Sequence, residues 1–286
     1  MILRKATRKK AKIRLGLSAV SGAGKTYSAI LIAKGLCGDL SKVALIDTEN
    51  GSADLYAHLG DFNVLPLTAP FTPERYIEAI RSCEKAGMEV IIVDSISHEW
   101  DGKGGCLEIV ESLGGKYQDW ARVTPRHQAF LEAILHSPCH MITTVRRKQD
   151  YEMIKDGNKV KIEKAGLREI TREGYEYELT INLEMDTTHH ASASKDRTNL
   201  FMGKPAFIPN EKTGETIAVW CEQGEEELNA VRPGSDWYQK VEQCSTQKEL
   251  VELYQKNKPE VDANPLLQQL IANRRNQING KTLSAA

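Results

Sequence analysis

The sequence lacks the long apolar runs, paired cysteines and one-sided charge that define several common protein classes. No apolar stretch reaches the roughly 20 residues that a membrane-spanning helix needs. The chain has six cysteines without a CxxC pair, so we expect reduced thiols rather than a disulfide framework or a zinc site. The basic first residues are not followed by the apolar segment of a signal peptide. We therefore expect a cytoplasmic protein that does not contact membranes.

Neither sign of charge dominates, because the formal net charge of the 286-residue chain is −1. The average charge thus gives no argument for a polyanionic partner. Residues 1–14 nevertheless contain seven basic residues and no acid. Such a basic head is either a solvated tail or a nucleic-acid contact. Hydrophobic residues make up 41% of the chain, which favours a packed core over wholesale disorder.

Apolar runs and helical patterns alternate through the first half of the chain. The runs predict buried strands, and apolar residues at helical spacing predict the helices between them. Thr-Pro pairs at Thr72 and Thr124 are typical of helix starts. The alternation predicts an α/β fold with a mostly parallel sheet flanked by helices. The predicted strands are 12–18, 42–49, 88–95 and 140–146, and the predicted helices are 25–36, 72–87 and 124–137.

The pattern changes beyond Arg147. Residues 149–166 predict a hairpin that turns at Asp156-Gly157-Asn158, and residues 175–185 predict a further strand. Pro233 and Gly234 mark a linker before two amphipathic helical segments, 245–257 and 264–278. We therefore place a core with its basic head at 1–222, and a linker with a small helical C-terminal region at 223–286.

The segment Ala19–Thr26 fits the phosphate-loop pattern GxxxxGK[ST], except that alanine occupies the first glycine position. Glycines inside the loop permit positive φ angles and bring backbone N–H groups close to an anion at a helix start. Lys25 supplies a charge to the β- and γ-phosphates, and the Thr26 hydroxyl can bind Mg²⁺. A glycine-rich turn without a ligand is the alternative. We predict binding of ATP and Mg²⁺, with nucleotide contacts from Ser21, Gly22, Ala23, Gly24, Lys25, Thr26 and Tyr27.

A carboxylate ends the apolar run Val90–Asp94. We expect Asp94 to lie beside the phosphate loop and to complete the magnesium site with Thr26. Many such ATPases carry a glutamate directly after this aspartate, but Ser95 stands here, so the catalytic base lies elsewhere. Glu49, after the strand at 42–49, and Glu99, in the loop after Asp94, are the two candidates. Glu49 can also be explained as a helix N-terminal acid.

These segments together resemble RecA-type recombinases over roughly residues 12–200, which implies a RecA-like P-loop NTPase core within the 1–222 unit. "LIDTENGSADLYAHLG" is similar to the segment in which a glutamate activates the attacking water, which implies Glu49 as the base and Tyr56 as the ring that stacks on adenine. "IIVDSIS" and "HMITTVRRK" resemble the metal-site strand and the strand that leads into the second DNA-binding loop. "REGYEYE" and "SKDRT" look like the RecA-like ATPases of phages. Thr144 departs from the pattern, since recombinases usually carry a γ-phosphate-sensing glutamine there.

Two long segments after strand ends are candidates for contact with single-stranded DNA. Segment 97–123 is rich in glycine and carries Trp100, Tyr117 and Trp120, whose rings can stack on bases. The second segment, 146–172, carries cations that can neutralise phosphates, although its interspersed acids also fit an ordinary solvated hairpin. The resemblance places DNA-binding loops at both. The basic residues of the second segment are Arg146, Arg147, Lys148, Lys155, Lys159, Lys161, Lys164, Arg168 and Arg172.

Lys195 and Arg197 follow the last predicted core strand. This pair resembles residues that recombinases insert into a neighbouring subunit's ATP site, and it implies head-to-tail assembly into a ring or filament. A surface turn with a local ion pair is the alternative. His189 and His190 have no partners at metal-ligand spacing, and we interpret them as loop residues.

The resemblance implies an ATPase that binds single-stranded DNA in phage-type homologous recombination or strand annealing. Its location would then be the cytoplasm of a bacterial host. The expected partners are single-stranded DNA, other copies of the chain, and a single-strand-binding protein or another recombination or replication protein. Two alternatives stay open: a RecA-fold helicase or DNA motor, and a nucleotide-gated adaptor that recruits partners through the C-terminal helices.

Overall fold

The computed structural model describes residues 8–156, 159–224, 236–262 and 265–283. The chain divides into two compact units. Ala11–Gln223 is the larger unit, and the other combines Met1–Lys10 with Gly224–Ala286. The described part of the basic head before Ala11 therefore groups with the C-terminal unit and not with the core. Within the described ranges, no helix has both the length and the apolar character that crossing a bilayer requires.

The larger unit is built on a mostly parallel β-sheet with helices on both faces, which confirms the predicted α/β class. The strand order is β3-β2-β4-β5-β1-β7-β8. Neighbours from β3 to β7 in this order run parallel, whereas β8 is antiparallel to β7 and β6 is antiparallel to β5. The strands are β1 (Arg14–Ala19), β2 (Val43–Asp47), β3 (Asn63–Pro66), β4 (Val90–Asp94), β5 (His140–Asp156), β6 (Lys159–Glu169), β7 (Ile181–Met185) and β8 (Ala191–Asp196).

Alternate strand residues face two helical layers, as the period-2 geometry of strands requires. Leu15 and Leu17 of β1 pack on one face with helix α1 (Lys25–Cys37). Ile91 and Val93 of β4 pack on the other face with helices α2 (Pro73–Lys85) and α5 (Trp120–Leu135). Each of these fully buried side chains contributes about 1.5–3 kcal/mol to folding.

Two glycines allow helix α7 (Glu211–Glu222) to cross α1 at close range. A Cβ at Gly35 would lie 2.0 Å from the Glu211 carbonyl oxygen, and one at Gly214 would lie 2.1 Å from the Ile32 carbonyl oxygen. Asn210 caps the start of α7, where its side chain accepts from the Thr213 N–H at 3.3 Å. The start of α7 thereby lies beside the C-terminal half of α1.

The predicted boundaries are wrong at two places. Helix α5 begins at Trp120, not at Thr124, because a 3-10 turn at Tyr117–Asp119 leads directly into it. Pro125 then lies inside the helix near its start, where its ring costs one backbone hydrogen bond without ending the helix. The strand predicted at 175–185 is shorter, because a helical turn, α6 (Tyr175–Glu178), occupies its first residues.

Segment 97–123 is folded and is not the open loop expected from its glycines. Short helices α3 (Ser97–Asp101) and α4 (Cys106–Ser112) and the 3-10 turn before α5 occupy much of it. The predicted hairpin is confirmed, since β5 and β6 pair from Arg147 opposite Glu169 to Asp156 opposite Lys159. Its turn at Gly157-Asn158 lies outside the described residues, as do the side chains of Lys155, Lys159, Lys161 and Lys164.

Arg14 of the basic head is a structural residue. Its guanidinium is buried and donates to the carbonyl oxygens of Leu135 and Cys139 at 2.9 Å each. Burial lowers the pKa of Arg14 to about 10. Arg14 therefore joins β1 to the end of α5 and is not available to a polyanion.

The described part of the C-terminal unit is helical, as predicted, but it contains four helices where the sequence pattern indicated two. Trp237, Val241, Leu250 and Val261 are buried in its small apolar core. The linker predicted at Pro233 and Gly234 lies outside the described residues. The helices are α8 (Asp236–Gln243), α9 (Gln247–Lys256), α10 (Lys258–Asp262) and α11 (Pro265–Leu283).

Candidate nucleotide-binding site

The predicted phosphate loop connects β1 to α1 in the conformation that its glycines permit. Gly22 has a φ angle of 82° and Gly24 one of 85°. Ala19 is the last residue of the extended strand β1, which explains why alanine serves where the common pattern has glycine. The N-terminal N–H groups of α1 thus lie at the mouth of a concave loop, an arrangement that favours anions.

Lys25 is 8% exposed at the start of α1. Its ammonium donates to the carbonyl oxygens of Ala19 at 3.3 Å and Val20 at 3.0 Å. Burial lowers the pKa of Lys25, while the carboxylates of Asp94 and Glu49 act in the opposite direction. A buried ammonium whose bonded partners are neutral carbonyls gains strongly from an anionic ligand.

Thr26 and Asp94, the two predicted magnesium ligands, lie next to each other. The Thr26 hydroxyl donates to Asp94 at 2.5 Å, and the Thr144 hydroxyl donates to the other carboxylate oxygen. Asp94 is 1% exposed, and burial raises its pKa. A divalent cation would offset this cost, and a hydroxyl with a carboxylate supplies the oxygen ligands that Mg²⁺ prefers. The donor set therefore fits Mg²⁺.

Glu49 lies at the same site, held by the end of β2. Its backbone N–H donates to the Asp47 side chain at 2.6 Å. Its carboxylate forms an ion pair with Arg146, at 2.8 Å from Nη2 and 3.0 Å from Nε. Arg146, predicted as a DNA contact, thus lies in the candidate nucleotide site.

One cavity of about 660 Å³ joins these groups, and its size suits a nucleotide. Tyr27 and Tyr56 line it with ring centroids 6.1 Å apart. The sequence did not reveal several other residues that line the cavity, and all of these except one α1 residue come from distant parts of the chain. They are Leu31, Arg146, His189, Ile208, Pro209 and Asn210.

His189 lies in the turn between β7 and β8, as expected for a loop residue, and it also contacts the phosphate loop. Its Nδ1 lies 3.0 Å from the Ala23 carbonyl oxygen, so the ring contacts the phosphate loop. His189 also has a φ angle of 67°, which few residues other than glycine adopt. Asn210 could have been found from sequence, because it and Thr213 form the capping box of α7.

Residues 11–215 match the family model described as an AAA domain. The chain belongs to the AAA domain family. Among curated proteins, none matches this chain. The match covers more than half of the chain and includes the phosphate loop, Asp94 and Glu49. The P-loop NTPase motifs of this chain therefore lie inside the segment that matches the family. Membership of this family implies that the chain binds a nucleotide.

Glu99, the second candidate base, lies elsewhere in the AAA domain. It is fully buried and accepts from His127 Nδ1 at 3.0 Å and from the Cys106 thiol at 3.1 Å. It does not line the 660 Å³ cavity. These hydrogen bonds give Glu99 a structural role, in which it joins α3 to α4 and α5.

Lys195 and Arg197 do not line this cavity. Lys195 belongs to β8, so the segment Ser194–Thr198 overlaps the last strand instead of following it. Both side chains donate to the Tyr177 carbonyl oxygen, Arg197 at 3.0 Å. The structure therefore separates these two residues from the phosphate loop of their own chain.

The two segments predicted to contact DNA meet at a second cavity, of about 590 Å³. Trp100, Tyr117 and Trp120 line it together with Arg172, and the two tryptophan rings stack at 5.4 Å. Tyr117 is 93% exposed. Two other cations that were predicted to contact phosphates form ion pairs within the protein. Arg147 pairs with Glu184, and Arg168 pairs with Glu173.

Proposed function

We propose that this AAA domain hydrolyses ATP and binds single-stranded DNA, in recombination or strand annealing of the phage type. One observation carries the proposal: a single cavity contains the phosphate loop, the Thr26–Asp94 pair and the Glu49 carboxylate. These are the groups that phosphoryl transfer to water requires.

Each group at the site has a separate role in ATP hydrolysis. Lys25 and the N–H groups at the start of α1 bind the β- and γ-phosphates. Thr26 and Asp94 would hold Mg²⁺, which neutralises charge on the phosphate oxygens. Glu49 orients a water and accepts its proton as the water oxygen bonds to the γ-phosphorus and the bond to the β–γ bridging oxygen breaks. The products are a diphosphate and inorganic phosphate.

The other end of the cavity supports binding of adenine. Tyr27 and Tyr56 offer aromatic faces, and Leu31 and Ile208 add apolar surface. Stacking and apolar contact bind a purine ring, while nearby polar groups orient it. This lining supports the adenine-stacking role that the sequence resemblance implied for Tyr56.

The aromatic cavity, defined by Trp100, Tyr117, Trp120 and Arg172, supports binding of single-stranded DNA. Exposed rings suit unpaired bases, since stacking contributes about 1–3 kcal/mol per base and tolerates any sequence. Arg172 adds a cation for a phosphate or for a stacked base. Because Arg147 and Arg168 are already paired with carboxylates, we assign the main contact to this cavity and not to the base of the hairpin.

Head-to-tail assembly would give Lys195 and Arg197 a catalytic position. Arg197 is exposed and lies outside the cavity of its own chain, so a phosphate that it contacts would belong to a neighbouring copy. When Arg197→Ala chains are mixed with Glu49→Gln chains, each nearly inactive alone, we expect ATPase activity to appear, because an interface between the two can combine an intact Glu49 with an intact Arg197. A mixture no more active than its separate components would contradict shared sites.

The ATPase rate with and without a thymine oligonucleotide, measured over a salt series, tests the proposed function. We expect the oligonucleotide to raise the rate several-fold at low salt and less as salt rises, because counterion release weakens binding. Tyr117→Ala should reduce this stimulation, and Tyr117→Phe, which keeps the ring, should retain it. A rate that DNA never changes would favour the nucleotide-gated adaptor, whereas ATP-driven unwinding of a duplex would favour a motor.

A further inference from the structure

Arg146 contacts the carboxylate that we propose as the catalytic base. Two of its guanidinium nitrogens lie 2.8 and 3.0 Å from the same Glu49 oxygen. Both side chains line the nucleotide cavity with Lys25 and Asp94, and both are partly exposed, Arg146 by 37% and Glu49 by 27%. A guanidinium at this position can reach a second anion in the same cavity.

The backbone of Arg146 lies where β5 leaves the parallel sheet. Its register partner on β1 is Ala19, the residue that begins the phosphate loop. Its carbonyl oxygen accepts from the Ile170 N–H at 2.7 Å, and the next residue, Arg147, pairs with Glu169 at the base of the hairpin. One residue therefore connects the nucleotide cavity to the hairpin.

We propose that Arg146 senses the triphosphate by exchanging its Glu49 partner for the terminal phosphate of the bound nucleotide. This inference rests on the proposed ATPase function. A guanidinium binds carboxylates and phosphates through the same paired N–H groups, and the terminal phosphate is the more highly charged anion. The exchange releases the Glu49 carboxylate to accept a proton from the attacking water. A diphosphate lacks the terminal phosphate and leaves the ion pair in place.

The neighbouring hydroxyls do not compete for this role. The Thr144 hydroxyl, at the position where recombinases usually have a sensing glutamine, donates to Asp94. The Thr143 hydroxyl contacts Tyr175 at 2.8 Å. Within the described part of β5, Arg146 is the residue that lines the cavity, and it lies directly before the first hairpin pair, Arg147 opposite Glu169. Its movement between two anions would change the position of the hairpin base.

Binding of nucleotides to the full-length Arg146→Ala protein tests the exchange. With Mg²⁺ present, we expect the affinity for a non-hydrolysable ATP analogue to fall about tenfold or more, and the affinity for ADP to stay within about twofold. Arg126→Ala is the matched control, because Arg126 also binds a glutamate, Glu74, through two nitrogens but lies outside the cavity. Both affinities of the control should equal those of the wild type.

Two further variants make the test decisive. Arg146→Lys keeps the charge but loses the paired N–H geometry, and we expect an intermediate loss for the ATP analogue alone. Glu49→Gln removes the competing carboxylate, and we expect tighter binding of the ATP analogue relative to ADP. Equal effects of Arg146→Ala on both nucleotides, or no effect on either, would overturn the exchange while leaving nucleotide binding at Lys25 intact. Unchanged binding in Lys25→Ala would instead overturn the proposed function itself.

Discussion

The Lys25→Ala protein should lose nucleotide binding by about two orders of magnitude or more. Lys25 supplies a buried ammonium to the phosphates, and each charge-assisted hydrogen bond that it forms contributes about 1.5–3 kcal/mol. Two such bonds correspond to at least a hundredfold change in affinity. Fluorescent ATP and ADP analogues, titrated in the presence of Mg²⁺, would measure the loss for each nucleotide.

Lys42→Ala provides the matched control for this experiment. Lys42 forms a half-exposed ion pair with Glu89 at 2.6 Å and lies outside the nucleotide cavity, so its removal changes the net charge equally without changing the site. We expect Lys25→Ala to keep the thermal stability of the wild type, because the ammonium's bonded partners in the protein are loop carbonyls. A Lys25→Ala protein that is folded and still binds ATP normally would contradict the assignment of the loop.

Glu49→Gln is expected to retain ATP and to hydrolyse it about 10²- to 10³-fold more slowly. The amide keeps the shape of the side chain but cannot accept a proton from the attacking water, and general-base catalysis is typically worth this much. Single-turnover hydrolysis with excess protein separates this chemical step from product release.

Glu99→Gln distinguishes the two glutamates. Glu99 is fully buried with His127 and Cys106, so we expect this change to lower the melting temperature, while the folded protein hydrolyses ATP at the wild-type rate. A normal rate in Glu49→Gln together with a large loss in Glu99→Gln would reverse the assignment.

The parts of the site that lie within local motifs could be predicted from sequence. Gly22, Gly24, Lys25 and Thr26 occupy one turn between a strand and a helix, so their arrangement follows from their own backbone preferences. The position of Asp94 beside the phosphate loop could also be predicted, because the carboxyl ends of parallel strands meet at one edge of the sheet.

The remaining parts depend on contacts between distant segments. Arg146 looks like one more cation of a basic segment, and only the register of β5 beside β1 places it at the nucleotide cavity. His189 reaches the phosphate loop because β7 and β8 bring their connecting turn beside it. At Pro125 a local sequence signal gave the wrong answer. The Thr-Pro pair predicted that the helix starts at Thr124, but the turn that precedes α5 starts the helix earlier, at Trp120.

We propose that a triphosphate in this cavity determines how tightly the protein holds a single DNA strand. The most direct measurement uses the wild-type protein and compares its affinity for a labelled thymine oligonucleotide with a non-hydrolysable ATP analogue and with ADP, at one salt concentration. We predict that the protein loaded with the ATP analogue binds the strand at least about tenfold more tightly, a coupling within the usual range for linked sites. Equal affinities with the analogue and with ADP would contradict the account.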